Sequence, residues 1–324
     1  MNIWNELNRP FFILAPMDDV TDTVFRQIVA GTSPPDLYYT EFVNVDGLQS
    51  PGRAKLLPKL QFSKKELPII AQNRSKKPEN YYKTTQDLIK MGFDGVDINM
   101  GCPDKAVLKN GCCAALIDNK DLARQIITEV KRAVGETEKP GSLPHRHFPV
   151  SVKTRLGNRE LDMTWPEFLL QQNLDALIVH GRTAKQMSKV PADWGRIGEI
   201  RAMRDRISPA TKIIGNGDVL SRQQGLDLAK EHGLDGIMIG RGVFHDPYVF
   251  ATKSPWPDKT RDDKLALYKK HVELFAKTWA NSERKIYTLN KFCKIYVNDF
   301  PGAKEMREKL MKAGSTEELL KLLG

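Results

Sequence analysis

Short apolar runs, each too brief for a helix, recur through the first three quarters of the chain. They are Phe11–Ala15, Leu37–Val43, Leu67–Ala71, Gly95–Asn99, Val150–Lys153, Ala176–His180, Lys212–Gly215 and Gly236–Gly240. β-Branched residues dominate them, and their length suits buried strands. Between them lie stretches with apolar positions at helical spacing. Residues 78–92 open on Pro78 and stop at Gly92, residues 119–134 align Leu122, Ile126, Ile127 and Val130, and residues 221–232 open on Ser221, a favoured N-cap type. Strand–helix alternation repeated eight times predicts an α/β fold of the (β/α)8 TIM barrel type. The alternative, a doubly wound open sheet, usually has fewer strands and a glycine-rich turn after the first, and no such turn follows Ala15.

After about residue 255 the pattern changes. Pro255-Trp256-Pro257 reads as a linker, and only helical periodicity follows. Over 264–281, Leu265, Tyr268, His271, Val272, Phe275 and Trp279 fall on one side. A second block covers 285–298, and two shorter helices within 303–323 are separated at Gly314. The expected division is a catalytic barrel over 1–255 and a small all-helical domain over 260–324.

Composition narrows the function. Of 324 residues, 40% are hydrophobic and 28% charged, enough for a large core and ordinary for a globular protein. The net charge of +10 suits a nucleic acid, an anionic membrane or phosphorylated ligands, or serves only solubility. Half of the excess falls in 260–324, with fourteen Lys/Arg against nine Asp/Glu. Cys102, Cys112, Cys113 and Cys293 make a poor disulfide framework. The start of the chain has no cationic stretch followed by an apolar run, and no apolar run approaches the ~20 residues of a membrane span. The expectation is a cytoplasmic protein in a reducing compartment, with no membrane partner.

Barrel chemistry sits at the C-terminal ends of the strands. Here those ends deliver Pro16, Met17, Asp18 and Asp19, then Gln72, then Asn99-Met100-Gly101-Cys102-Pro103, Lys153 and Arg155, His180-Gly181-Arg182, Asn216-Gly217-Asp218 and Gly240-Arg241-Gly242. A purely structural barrel has no use for polar groups at nearly every end. The last two ends suggest a phosphate site, built from backbone amides, a following short helix and the Arg241 fork. Lys153 points either outward or into the mouth, where it would neutralise an anion. His180 is either a satisfied core histidine or a ligand contact. Cys102 has three readings: metal ligand, nucleophile or acid. Its nearest cysteine is ten positions on and no histidine is close, which argues against a metal site. A thiol of ordinary pKa stays protonated at neutral pH, which suits proton donation. Cys112, Cys113 and Cys293 read as structural.

These residues resemble the tRNA-dihydrouridine synthase family. The likeness is carried by Ala15-Pro16-Met17 with Val20-Thr21-Asp22, Asn99-Met100-Gly101-Cys102-Pro103, Val152-Lys153-Thr154-Arg155, His180-Gly181-Arg182-Thr183, Gly215-Asn216-Gly217-Asp218, Met238-Ile239-Gly240-Arg241-Gly242 and, in the tail, Phe300-Pro301-Gly302-Ala303 with Arg307. It runs in order over nearly the whole chain. It departs from the family at Asp18-Asp19 and at Cys112-Cys113, where small residues are usual. The resemblance implies tightly bound FMN, NADPH or NADH as reductant, and reduction of uridine in tRNA. Residue by residue, it implies Pro16, Met17 and Asp18 against the flavin ring, and Gln72 and Lys153 at its polar edge. It places His180 beside the ring and Asn216, Gly217, Asp218, Gly240 and Arg241 at its phosphate. Asn99 and Arg182 fall to the substrate, Cys102 is the proton donor, and the helical tail grips tRNA. A monomer with no obligatory protein partner is expected. Two other readings remain: a flavin barrel acting on a small molecule, of the dihydroorotate dehydrogenase or enoate-reducing kind, and a non-catalytic RNA-binding barrel.

Overall fold

A computed structural model describes residues 2–137, 147–281 and 283–324. Nine strands form one parallel sheet: β1 (Phe11–Leu14), β2 (Tyr38–Tyr39), β3 (Val43–Asn44), β4 (Ile69–Arg74), β5 (Gly95–Met100), β6 (Val150–Arg155), β7 (Ala176–His180), β8 (Lys212–Asn216) and β9 (Gly236–Ile239). The order β1-β9-β8-β7-β6-β5-β4-β2, with β3 also on β4, is that of a (β/α)8 barrel. An isolated parallel bridge between Ile13 and Leu37 joins the two ends.

The run expected as one strand over Leu37–Val43 is split into β2 and β3. Thr40 causes the break. Its hydroxyl accepts from the Gln72 amide at 3.1 Å and donates to the Glu41 carbonyl at 2.8 Å, replacing a ladder bond with side-chain bonds. Helices run where the spacing predicts them, at Pro78–Lys90, Lys120–Thr137 and Arg222–His232, with the Ser221 hydroxyl accepting from the Gln224 amide.

Strand alternation sorts the core into two shells. Phe11, Ile13, Leu37, Tyr39, Ile70, Ala176, Ile178, Ile214 and Met238 fill the barrel interior, and Ile3 and Trp4 of the short helix Ile3–Glu6 pack with them. The opposite faces, including Phe12, Leu14, Val96, Ile98, Val152 and Leu177, meet the surrounding helices. Two positions on from the apolar interior residues stand polar ones, such as Gln72 after Ile70 and His180 after Ile178. The barrel is thus apolar below and polar at its mouth.

The C-terminal region is helical throughout, at Arg261–Thr278, Tyr287–Asn290, Cys293–Tyr296, Ala303–Leu310 and Thr316–Leu323. The block expected over 285–298 is two short helices. Phe292, between them, stacks on Phe25 of the barrel helix Thr23–Thr32 with ring centroids 4.9 Å apart. The segment read as a linker holds the turn Trp256–Asp258, whose Trp256 is buried under Lys264. The helices therefore share one core with the barrel. Among the described residues no helix is long and apolar enough to cross a membrane.

Candidate active site

Two adjoining cavities open at the strand C-terminal ends. The first, of about 480 Å³, is lined by Pro16, Met17, Lys153, His180, Asn216, Gly217, Asp218, Gly240 and Arg241, together with Ala15, Met238 and His245 among others. The second, of about 530 Å³, is lined by Asp18, Gln72, Asn99 and Cys102 and by Phe42, Arg74, Pro103, Asp104 and Arg155. Pro16, Met17 and Lys153 belong to both. Every site residue expected from the sequence lines one or the other except Arg182. Arg155 lines the second cavity at the strand end expected to deliver it, whereas Arg74 was missed, although it lies two positions beyond Gln72 and so on the same face of its strand. Phe42 and His245 carry no comparable signal.

The outer end of the first cavity is shaped by backbone. Gly217 has φ 136°, and a Cβ there would lie 2.6 Å from that of Ala192. The next residue, Asp218, is left-handed at φ 56°. Asn216 donates to the Met238 carbonyl at 2.8 Å, tying β8 to β9. The Asp218 carboxylate accepts from Arg182, from Arg241 at 3.1 Å and from the Ala192 amide at 3.0 Å. A carboxylate repels phosphate, so the side chain of Asp218 serves by orienting cations. Arg241 remains half-exposed at the rim.

Arg182 stands behind this wall, 2% exposed. Its guanidinium donates to His180 Nε2 at 3.0 Å and to the Val190 carbonyl at 2.5 Å. A guanidinium cannot accept, so His180 carries its proton on Nδ1. Burial, then the cations Lys153, Arg155, Arg182 and Arg241, push the imidazole far below its usual pKa, and His180 is neutral. Burial and Arg155 lower Lys153 to about 8, with Asp97 opposing. It remains mostly a cation at neutral pH.

The second cavity rests on a chain of buried hydrogen bonds. Asp97 accepts from Gln72 Nε2 at 2.7 Å and from the Ser151 hydroxyl at 2.6 Å. Gln72 Oε1 accepts from Asn99 Nδ2 at 2.9 Å. Asn99 Oδ1 then accepts the amides of Gly101 at 3.1 Å and Cys102 at 3.0 Å. Asp97 thus fixes which way both amides point, and through them the turn that carries Cys102. Burial raises Asp97 to about 7 against the Ser151 and Gln72 bonds. The Cys102 thiol is half-buried and, chiefly by burial, pushed above its usual pKa. Cys112 and Cys113 pack with Val107 beneath it, and all four cysteines are free.

Asp18, Asp19 and Glu41 gather at the rim and are met by cations. Lys59 pairs with Asp18 and lies 3.7 Å from Glu41, and Arg284, from the C-terminal region, pairs with Glu41. Lys291 donates to the Asp19 carbonyl, so the helical region forms part of this rim.

The residues fit a phosphorylated flavin on their own chemistry. The glycine turn and Arg241 suit a phosphate, and a lysine with a neutral histidine suits a polar ring edge. Comparison with known proteins identifies the family. A model of the dihydrouridine synthase family matches residues 13–323. The "Probable tRNA-dihydrouridine synthase" of Staphylococcus aureus (strain COL) is 43% identical over 99% of this chain and 94% of its own length. The "Probable tRNA-dihydrouridine synthase 2" of Bacillus subtilis (strain 168) is 41% identical over 99% and 95%. Among solved structures, histamine dehydrogenase from Rhizobium sp. 4-9 aligns with a TM-score of 0.54 at 12% identity, covering 84% of this chain and 51% of that one. That likeness shows the barrel fold alone.

Proposed function

Since the chain belongs to the dihydrouridine synthase family, we propose that it reduces the five–six double bond of uridines in tRNA, with FMN as bound flavin and NADPH as electron source. The observation that carries this reading is the shared wall: Pro16, Met17 and Lys153 line both cavities, and Cys102 lines only the second. A flavin in the first cavity and a base in the second would meet across that wall, with the thiol on the side of the base. Family membership favours tRNA over the small-molecule alternative.

Gly217, Gly240 and Arg241 would hold the phosphate, Pro16 and Met17 the ring, and Lys153 and neutral His180 the polar edge. Gln72, expected at that edge, lines only the second cavity and is bonded to Asp97 and Asn99, so it would act by holding Asn99. The chemistry that FMN would supply when held there is hydride delivery to one carbon of the uracil double bond. Cys102, protonated at neutral pH because burial raises its pKa, delivers the Sγ proton to the adjacent carbon. The Asn99 carbonyl oxygen is spent on the Cys102 turn and one amide proton on Gln72. Its remaining N–H can only donate, so it selects a uracil carbonyl. Arg182 acts indirectly, by holding His180 and Asp218 in place.

The base must leave its stack to reach this depth, at a cost of a few kcal/mol that is least where RNA is loosely folded. The basic helical region offers exposed Lys285, Lys291 and Lys294 around Tyr287, itself 63% exposed, and these would contact tRNA phosphates and bases. The test is Cys102→Ala. The variant should purify yellow, be reduced by NADPH, and lose at least a hundredfold in dihydrouridine formation, measured on tRNA from cells lacking this enzyme. Undiminished turnover would refute the proton-donor role.

A further inference from the structure

Among the described residues four arginines are buried: Arg26, Arg155, Arg182 and Arg204. Three have a carboxylate, Glu66 for Arg26 at 2.6 Å, Asp218 for Arg182, and Asp235 for Arg204 at 2.9 Å. Arg155, 7% exposed, has none within ion-pair distance. Its guanidinium donates only to neutral carbonyls, those of Gly101 at 2.8 Å and of Thr183 and Met187 at 3.0 Å each. A buried cation satisfied in hydrogen bonds but not in charge is costly unless an anion joins it. Burial, the larger effect, brings Arg155 down only to about 10, so it keeps its charge at neutral pH.

The missing anion has a position. Arg155 lines the same cavity as Cys102 and grips the carbonyl of the residue before it. We propose that Arg155 is the electrostatic partner of Cys102, stabilising the thiolate left when the thiol protonates the uracil ring. This rests on the proton-donor reading above. In the step, the S–H bond breaks, the proton bonds to the ring carbon next to the one that received hydride, and the S–H electron pair stays on sulfur as a thiolate. Water reprotonates it before the next cycle. The other charged groups acting on that sulfur are Asp104 and Asp18, which oppose thiolate formation, and Lys153, which assists it; Cys113 lies beneath and is held protonated by burial. The Asp104 backbone N–H also favours the thiolate.

The experiment is a pH titration of Cys102 alkylation by iodoacetamide in the full-length flavoprotein, read by mass spectrometry. Trypsin cleaves at Lys105 and Lys109, separating Cys102 from Cys112 and Cys113. Arg155→Gln keeps N–H donors and removes the charge, and Arg155→Lys keeps the charge. The midpoint should rise by about one pH unit, a tenfold loss of thiol acidity, in Arg155→Gln and stay near wild type in Arg155→Lys. Equal midpoints for wild type and Arg155→Gln would overturn the proposal. So would a raised KM for tRNA with an unmoved titration, which would assign Arg155 to an RNA phosphate. Should Arg155→Gln not fold, Cys102→Asp provides the missing carboxylate and should melt higher than Cys102→Asn at neutral pH. An equal or lower melting temperature also overturns it. If Cys102→Ala turned over normally while Arg155→Gln still shifted the titration, the donor reading would fail and the electrostatic pairing would stand.

Discussion

Replacing Arg284 with Met should destabilise the protein in a way that depends on pH. Glu41 is fully buried at the break between β2 and β3 and has two cationic partners, Arg284 in direct contact and Lys59 at 3.7 Å. Removing one member of a buried ion pair costs ~3–5 kcal/mol, because it leaves a buried charge behind. Lys59 remains, so the lower end, about 3 kcal/mol, is the expectation. Unfolding entropy scales as ~2 cal/mol/K per residue, so for a chain of this length that corresponds to roughly 4 °C in melting temperature. The sign with pH follows from Glu41. Burial already raises its carboxyl above the usual value, and Arg284 is the first group opposing that rise. Without Arg284 the folded-state pKa climbs further. A carboxyl raised in the folded state costs nothing where it is protonated in both states, destabilises progressively as pH rises from the unfolded pKa to the folded one, and levels off above that. Melting of Arg284→Met against wild type should therefore show little difference near pH 4 and the full loss by pH 8. Glu41→Gln should rescue most of it, since a neutral amide needs no counter-ion. Asp22, 3.5 Å from Arg284, limits the rescue to partial. A loss of equal size at both pH values, or no rescue by Glu41→Gln, would refute the reasoning.

Gly217→Ala should lower bound flavin per chain, measured by absorbance after desalting. At φ 136° a side chain costs ~1–3 kcal/mol, and its Cβ would collide with Ala192, displacing the turn; full flavin content would deny that this turn holds the cofactor. Asp97→Asn should be tolerated, because the Ser151 hydroxyl can turn from donor to acceptor while Gln72 keeps its oxygen partner. Asp97→Leu should lose about 1–3 kcal/mol for the stranded Gln72 amide, and equal melting of the two variants would deny the network. Because Asp97 is raised to about 7 in the folded protein, it ionises in the unfolded chain but not in the folded one as pH rises from about 4 to 7, and this weakens wild type over that interval. The stability of Asp97→Asn relative to wild type should grow over that interval and level off above it.

The barrel is legible in the sequence because each strand needs only four to seven residues of local pattern. The mouth is legible for a related reason: side chains alternate, so a polar residue closing an apolar run has to emerge at one end. That rule brings Gln72, Asn99, Lys153, His180 and Asn216 together without any knowledge of distance. It gives Arg155 as well, and applied one step beyond Gln72 it also finds Arg74. It cannot say how far a side chain has been claimed by its neighbours. Arg182 and Asp218 carry the charges expected of ligand contacts, yet they bond chiefly to each other and to the wall. The break at Thr40 depends on a side-chain bond to β4, and the Glu41–Arg284 pair joins residues 243 positions apart. Neither leaves a periodic trace.

The electrostatics of the mouth follow from a choice among basic residues. Arg74, Lys153, Arg155 and Arg241 line the cavities and Arg182 stands just behind, while Asp218 is shared by two of them and Asp97 is raised to about 7. Burial first, and the crowding of cations second, lower the proton affinity of the bases at this mouth, and the weakest yields first. His180 therefore becomes neutral and Lys153 falls to about 8, whereas the arginines keep their charge. A neutral imidazole can accept from Arg182 and still present an N–H elsewhere, which an imidazolium beside a guanidinium could not do without repulsion. Burial and cations act together on Cys102 as well. There burial opposes the thiolate and Arg155 favours it, so the thiol stays protonated at rest yet the anion it leaves on giving up its proton has a cation close by. In the proposed reaction the same positive charge would serve a phosphate and a thiol acid, and a carboxylate added to neutralise Arg155 would weaken the second of these.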